Sequence, residues 1–297
     1  MRVVSLVPSA TDVLVELGAV DEIVGVTYAC SLKDRPVVVE PTLMTEGLSS
    51  EEIDRVISSA RRTGRPLYRI DVERIRGLKP DLIFAQSLCD VCAATAGEVN
   101  SLLRGIAPVI ELHPKNVDEI LNDILVIGKY VGRYDEARAI VEKNLEKVQR
   151  IREHTVGLEK IRTAFLEWLF PPYCSGHWVP ELVEIAGGVD FGVKGEHSRR
   201  VKPEEIEAFQ PAKIVAGPCG YGLEKTYKEM ILFKSQSWVK RLEASEKGEL
   251  YAVDADKYFS RHGPQIGDAA LILAEIIHPQ IFRQVAPEKS YKKIEDF

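Results

Sequence analysis

A chain of 297 residues is long enough for two domains of ordinary size, each able to bury its own core. Its formal net charge of −6 comes without a basic block, which argues against nucleic acid as a partner. Apolar content of 45% and charged content of 28% are those of a globular protein, and no apolar run approaches the ~20 residues of a membrane helix. Five cysteines, an odd number, fit a reducing compartment better than a disulfide framework. The chain enters a strand-like run at once, without a charged leader, so the expected location is the cytoplasm.

Taken in order, apolar runs of strand length alternate with helical patterns, as in parallel α/β units. Strands are expected at Arg2–Val7, Ile23–Thr27, Leu82–Ala85, Val109–Leu112, Arg162–Trp168, Ile214–Ala216 and Leu250–Val253. Asn116–Tyr130 reads as an amphipathic helix. Gly132 interrupts it, and a second, highly charged helix runs over Tyr134–His154. A helix of roughly 20 residues is about 30 Å long, enough to bridge two compact lobes. The charged tail after Pro279 reads as a helix or a loose end.

The chain also repeats itself. Asp12-Val-Leu-Val-Glu-Leu-Gly-Ala-Val-Asp21 is matched by Glu181-Leu-Val-Glu-Ile-Ala-Gly-Gly-Val-Asp190. Arg74-Ile-Arg-Gly-Leu-Lys-Pro-Asp-Leu-Ile-Phe-Ala85 is matched by Glu205-Ile-Glu-Ala-Phe-Gln-Pro-Ala-Lys-Ile-Val-Ala216. In each half a helix ends at Gly before a short strand, and another ends at Pro before the next. The expected fold class is α/β, with two Rossmann-like lobes of similar topology joined by a long rigid helix. The lobes are expected at residues 1–133 and 158–297, with the linking helix at 134–157. Clefts between such lobes favour small molecules.

All five cysteines fall at or just beyond the carboxyl end of an expected strand, where open α/β sheets bind ligands. Cys89-Asp-Val-Cys92 and Cys174-Ser-Gly-His177 have ligand-like spacing, and Cys30 and Cys219 follow other strands. Cys30, Cys89, Cys92, Cys174, His177 and Cys219 are therefore the candidate metal set, for zinc or an iron–sulfur cluster. Thiol–disulfide chemistry and inert buried thiols remain open alternatives for the same residues. Aromatic and polar residues share these loops: Tyr28, Trp168, Trp178, Tyr221 and Phe259, with Arg261 and His262 placed to read polar groups. Together they suit a large, partly flat ligand. Neither a phosphate-binding loop nor a nucleophile elbow is present, so no catalytic residue is expected.

Ser5-Leu-Val-Pro-Ser-Ala-Thr11, Leu78-Lys-Pro-Asp-Leu-Ile83 and the bridging helix resemble class III solute-binding proteins, the clamps that serve ABC importers. Gln86-Ser-Leu-Cys-Asp-Val-Cys92, Glu167-Trp168, Cys174-Ser-Gly-His-Trp178 and Tyr258-Phe-Ser-Arg261 are similar to the cobalamin-binding-protein-like branch. The resemblance implies a monomeric binding protein, not an enzyme. It holds cobalamin, another corrinoid or a related metal-bearing cofactor between its lobes and has an ABC permease as partner. It further implies that Pro8, Ser9 and Gln86 of the first lobe face ligand, as do Trp168, Trp178, Tyr221 and Phe259 of the second. Glu73 and Glu205, near the starts of equivalent helices, are the implied docking residues for the permease. The alternative is a cytosolic metal or iron–sulfur redox protein built on the same fold around a cysteine-rich cleft.

Overall fold

The computed structural model describes residues 1–86, 102–103 and 105–295. The chain forms two compact α/β units, one of Met1–Pro114 with Glu119–Val141 and one of Lys115–Asp118 with Glu142–Phe297.

The first unit is built on a six-stranded sheet of β1 (Val3–Ser5), β2 (Ile23–Thr27), β3 (Val37–Pro41), β4 (Tyr68–Ile70), β5 (Leu82–Gln86) and β6 (Val109–Leu112). Their order is β4-β3-β2-β1-β5-β6, with only the edge strand β4 antiparallel among these pairings. Strands β1 and β5 are buried throughout, as parallel strands covered on both faces must be. The second sheet comprises β7 (Ile161–Leu169), β8 (Pro172–Cys174), β9 (Gly188–Val189), β10 (Lys213–Ala216), β11 (Leu250–Val253) and β12 (Tyr291–Lys293). Its order is β12-β11-β10-β7-β8, and β9 pairs with β7.

The sequence repeat is a structural one. The parallel series β2-β1-β5-β6 of the first unit has the connectivity of β9-β7-β10-β11 in the second. Gly18 (φ 71°) and Gly187 (φ 83°) each turn the chain out of a helix, in the left-handed region that favours glycine. The helices Val72–Leu78 and Pro203–Phe209 both have seven residues, and each is followed by a left-handed residue and a proline. Backbone hydrogen bonds repeat as well: Asp81 N–H donates to Arg2 O and Ala212 N–H to Arg162 O, both at 2.8 Å.

Helices run over Val117–Tyr130 and Tyr134–Thr155. The break between them comes at Gly132, as its place in the pattern foretold. The 22-residue second helix spans about 33 Å, and the division between the units falls within it, after Val141. The start of the preceding helix groups with the second unit because buried Glu181 accepts the Val117 N–H at 2.8 Å. Lys194 pairs with the other oxygen of that carboxylate at 2.7 Å.

The tail departs from expectation. Instead of a helix or loose end it supplies β12, antiparallel to β11, and buries Ile294 in the core of the second unit. Glu275 secures the approach by accepting the backbone N–H groups of Val285 and Ala286 and the Tyr291 hydroxyl. The charges that made the tail look solvated are paired with acids of neighbouring elements: Lys293 reaches Glu249 and Lys292 reaches Glu224.

Candidate functional site

In the second unit, the loops leaving the carboxyl ends of β7, β10 and β11 are tied together by their backbones. Cys219 N–H donates to Glu167 O at 3.2 Å, and Asp256 N–H to Tyr221 O at 3.0 Å. Gly220 N–H donates to Ser260 Oγ at 3.0 Å. This frame carries an aromatic pair, Trp168 and Tyr221, with ring centres 5.1 Å apart and planes at 58°. Trp168 is half-buried and anchored by its Nε1–H to Phe170 O at 3.1 Å. Tyr221 is buried behind it, and the Lys225 ammonium lies 3.6 Å from the Tyr221 ring centre. Phe259 is buried against Phe165 at 5.0 Å, and Arg261 donates to both carboxylate oxygens of Asp256 at 3.1 Å. Cys219 is exposed in the same loops.

The segment Cys174–Trp178 is fastened by two acids. Ser175 Oγ donates to Asp190, whose Oδ1 also accepts the N–H groups of Phe165 (3.2 Å) and Phe191 (2.9 Å). Burial pushes the Asp190 carboxyl up to about 6, against the lowering effect of those hydrogen bonds. Glu167 Oε1 accepts the Gly176 N–H at 2.8 Å. His177 sits at φ 54°, held there by bonds to Glu196 O and from Gly195 N–H. Its ring meets His197 at 5.0 Å and Trp178 at 5.9 Å, and Trp178 in turn meets buried His262 edge to face at 5.8 Å. Cys174 is buried, and desolvation pushes its thiol up, which disfavours the thiolate that metals bind.

In the first unit, Cys30 is sealed into a hydroxyl network at the ends of β1 and β2. Thr11 Oγ1 lies 3.0 Å from Cys30 Sγ and donates to Ser5 Oγ at 2.9 Å, while Thr27 Oγ1 lies 3.6 Å from the same sulfur. Pro8 opens the helix Pro8–Glu16, with Ser9 buried beside it. Gln86 ends β5 and is buried, whereas Tyr28 is 41% exposed and stacks on Tyr68.

These placements give the metal reading no support. Among the described residues, no three histidine, cysteine, aspartate or glutamate side chains stand together as a metal-binding group. Cys30 is a hydrogen-bonded core thiol, and Cys174 is buried in an apolar cluster. Cys89 and Cys92 lie outside the described residues. The docking candidates are both exposed. Glu73 pairs with Arg76, and Glu205 accepts the Lys202 N–H and an Arg199 N–H, each at 2.8 Å. The Lys202 backbone bond, then Arg199, holds the Glu205 carboxyl below its usual range. Sequence reasoning missed Lys225 and Asp190. Tyr221 precedes Gly222, the N-cap of the helix that carries Lys225, so no regular helical spacing announced their contact. Asp190 had a signal only as the terminus of a repeat.

The sequence pattern of a family described as periplasmic binding protein matches residues 3–257. A Bacillus subtilis protein, the uncharacterized ABC transporter substrate-binding lipoprotein YvrC, is 22% identical over 95% of this chain and 82% of its own length. The vitamin B12-binding protein of Vibrio cholerae is 23% identical over 90% of this chain and 86% of its own. The crystal structure of the periplasmic vitamin B12 binding protein BtuF of Vibrio cholerae superposes with a TM-score of 0.70 at 21% identity, covering 94% of this chain and 96% of that one. A periplasmic heme binding protein from Pseudomonas aeruginosa reaches 0.74 at 15% identity, over 99% of this chain and 98% of its own.

These relatives correct the cytoplasmic placement. The matching family is periplasmic and the Bacillus subtilis relative is a lipoprotein, so the expectation drawn from the first residues and the cysteine count does not stand. A thiol buried as Cys30 and Cys174 are is shielded from oxidants, so its presence says little about compartment. With the match running through both units, the chain belongs to the periplasmic binding protein family, whose members bind solutes rather than transform them.

Proposed function

We propose that this protein is the substrate-binding component of an ABC importer and that its ligand is a corrinoid or a related tetrapyrrole. The observation that carries the reading is the half-buried Trp168 indole, backed by Tyr221 at the carboxyl ends of β7 and β10. An aromatic face held rigidly by a second ring suits the flat, apolar body of a macrocycle. Vitamin B12 and heme are the ligands named for the similar proteins of Vibrio cholerae and Pseudomonas aeruginosa, and both are tetrapyrrole-derived. Tyr28, which is exposed, and Pro8, Ser9 and Gln86 are the ligand-facing candidates of the first unit. Arg261 and His262 join the second.

Glu73 and Glu205 are proposed to meet basic pockets of the permease. Their support is their exposure in the first turns of two equivalent helices.

The test is an absorbance titration of the purified protein with cyanocobalamin, dicyanocobinamide and hemin. Saturable binding of one of them at micromolar concentration or below is expected. Binding of none below millimolar concentration overturns the ligand class.

A further inference from the structure

Strand β7 breaks its pairing pattern at one residue. Leu166 pairs with Cys174 of β8 and Trp168 with Tyr173, which leaves Glu167 as the extra residue of a bulge. A bulge bends its strand and re-aims the side chains beside it. The residues before it, Thr163 to Leu166, are buried without interruption, whereas Glu167 and Trp168 are both half-buried.

Glu167 also joins two loops to the strand end that carries Trp168. Its carbonyl accepts the Cys219 N–H at 3.2 Å, and its Oε1 accepts the Gly176 N–H at 2.8 Å. The Gly176 backbone is itself closely backed: a Cβ there would lie 2.3 Å from Ser198 N and 2.7 Å from Glu196 O. The carboxylate therefore grips a support that has no room to retreat. Tyr221, the ring behind Trp168, closes the Cys219 turn by donating its N–H to Pro218 O at 2.9 Å. Both members of the aromatic pair are thus tied to Glu167, Trp168 by the chain and Tyr221 by its turn.

We propose that Glu167 is a positioning residue for ligand binding: its bulge turns Trp168 toward the ligand, and its carboxylate holds that geometry through Gly176. This inference rests on the tetrapyrrole reading and deepens it. Glu167 acts through Trp168 rather than by touching the ligand. An indole face accepts a flat macrocycle well only while its plane is fixed beforehand. A residue that fixes the plane lowers the ordering cost of binding and so raises affinity without a contact of its own.

The experiment compares the full-length wild type with Glu167→Ala and Glu167→Gln. Each is titrated with cyanocobalamin and hemin by absorbance, and each gives an indole ¹⁵N–¹H spectrum without ligand. Loss of one signal in Trp168→Phe and of another in Trp238→Phe assigns the two tryptophans. Glu167→Ala is expected to bind the probe about 3- to 30-fold more weakly and to shift the Trp168 signal while that of Trp238 stays in place. Glu167→Gln keeps an oxygen for the Gly176 N–H and should bind within about threefold of the wild type, with its Trp168 signal near the wild-type position. If Glu167→Ala does not fold, Glu167→Asp, a methylene too short for Gly176, takes its place with the same expectations. Equal binding by the wild type and Glu167→Ala overturns the inference. So does a loss in Glu167→Gln as large as in Glu167→Ala, or weaker binding with the Trp168 signal unmoved; the tetrapyrrole reading survives each of these. If neither probe binds the wild type, that reading fails and this inference falls with it.

Discussion

Lys79 and Gln210 adopt nearly the same left-handed backbone conformation, at φ 47°, ψ 61° and φ 48°, ψ 64°, although 131 positions separate them. Each closes a seven-residue helix and each precedes a proline, Pro80 or Pro211, that leads into a central strand. An arginine bond accompanies both: Arg2 Nε–H donates to Leu78 O and Arg162 Nε–H to Gln210 O, each at 2.8 Å. The recurrence of a conformation that L residues seldom adopt marks the two units as copies of one device.

That conformation should be relieved by glycine. Lys79→Gly and Gln210→Gly are each expected to stabilise the protein by about 0.5–1 kcal/mol, the left-handed cost less the added flexibility of the unfolded chain. Urea unfolding of each variant beside the wild type measures this; a midpoint that falls would show that the lost side chain contributes more than the strain.

Trp168→Ala should weaken binding of the tetrapyrrole probe about 10- to 100-fold, because it removes the accessible face of the aromatic pair. Tyr221→Phe keeps the ring behind it and should change affinity less than about threefold. Calorimetric titration of the two variants separates a ligand-facing ring from a supporting one, and equal losses would contradict the assignment.

Asp190 gives the second unit a pH-dependent stability. Its folded pKa of about 6 lies above the ordinary 3.8, so folding favours the protonated form. The contribution is fully present below about pH 3.8 and is lost as pH rises through about 6, by roughly 3 kcal/mol at most. Asp190→Asn should remove this decline. Asp123, raised to about 7 chiefly by burial, remains in both proteins, so the difference between their urea-derived stabilities isolates Asp190. A difference that is flat from about pH 4 to about pH 7 would contradict the assignment.

Glu181 is buried on a short helix and should matter for stability through the groups it satisfies. Glu181→Ala leaves the Val117 N–H without its acceptor and Lys194 without its partner, at an expected cost of about 1–3 kcal/mol. Glu181→Gln retains an oxygen for Val117 and should recover about half of that loss. Thermal midpoints of the two variants test the order.

The repeat, the parallel core and the paired helices were legible because hydrophobic runs and helix stops are local signals. Ile23–Thr27, Val109–Leu112 and Leu250–Val253 form strands at the residues their apolar runs delimit. Strands β4, β8 and β9 have only two or three residues, too few to show a two-residue alternation, and β12 looked solvated until β11 supplied its partner. The aromatic pair was foreseeable from loops that follow neighbouring strands. The role of Cys30 was not, because Thr11 and Thr27 reach it through tertiary packing. A strand-end cysteine reads the same in sequence whether it meets a metal or a threonine hydroxyl.

The central claim is that the chain holds a tetrapyrrole on Trp168. Native mass spectrometry of the protein incubated with an equimolar mixture of cyanocobalamin, dicyanocobinamide and hemin tests it most directly. One of the three bound per chain, and lost from Trp168→Ala under the same conditions, is the predicted result. A wild-type spectrum with no adduct, or an adduct equally abundant in Trp168→Ala, would contradict it.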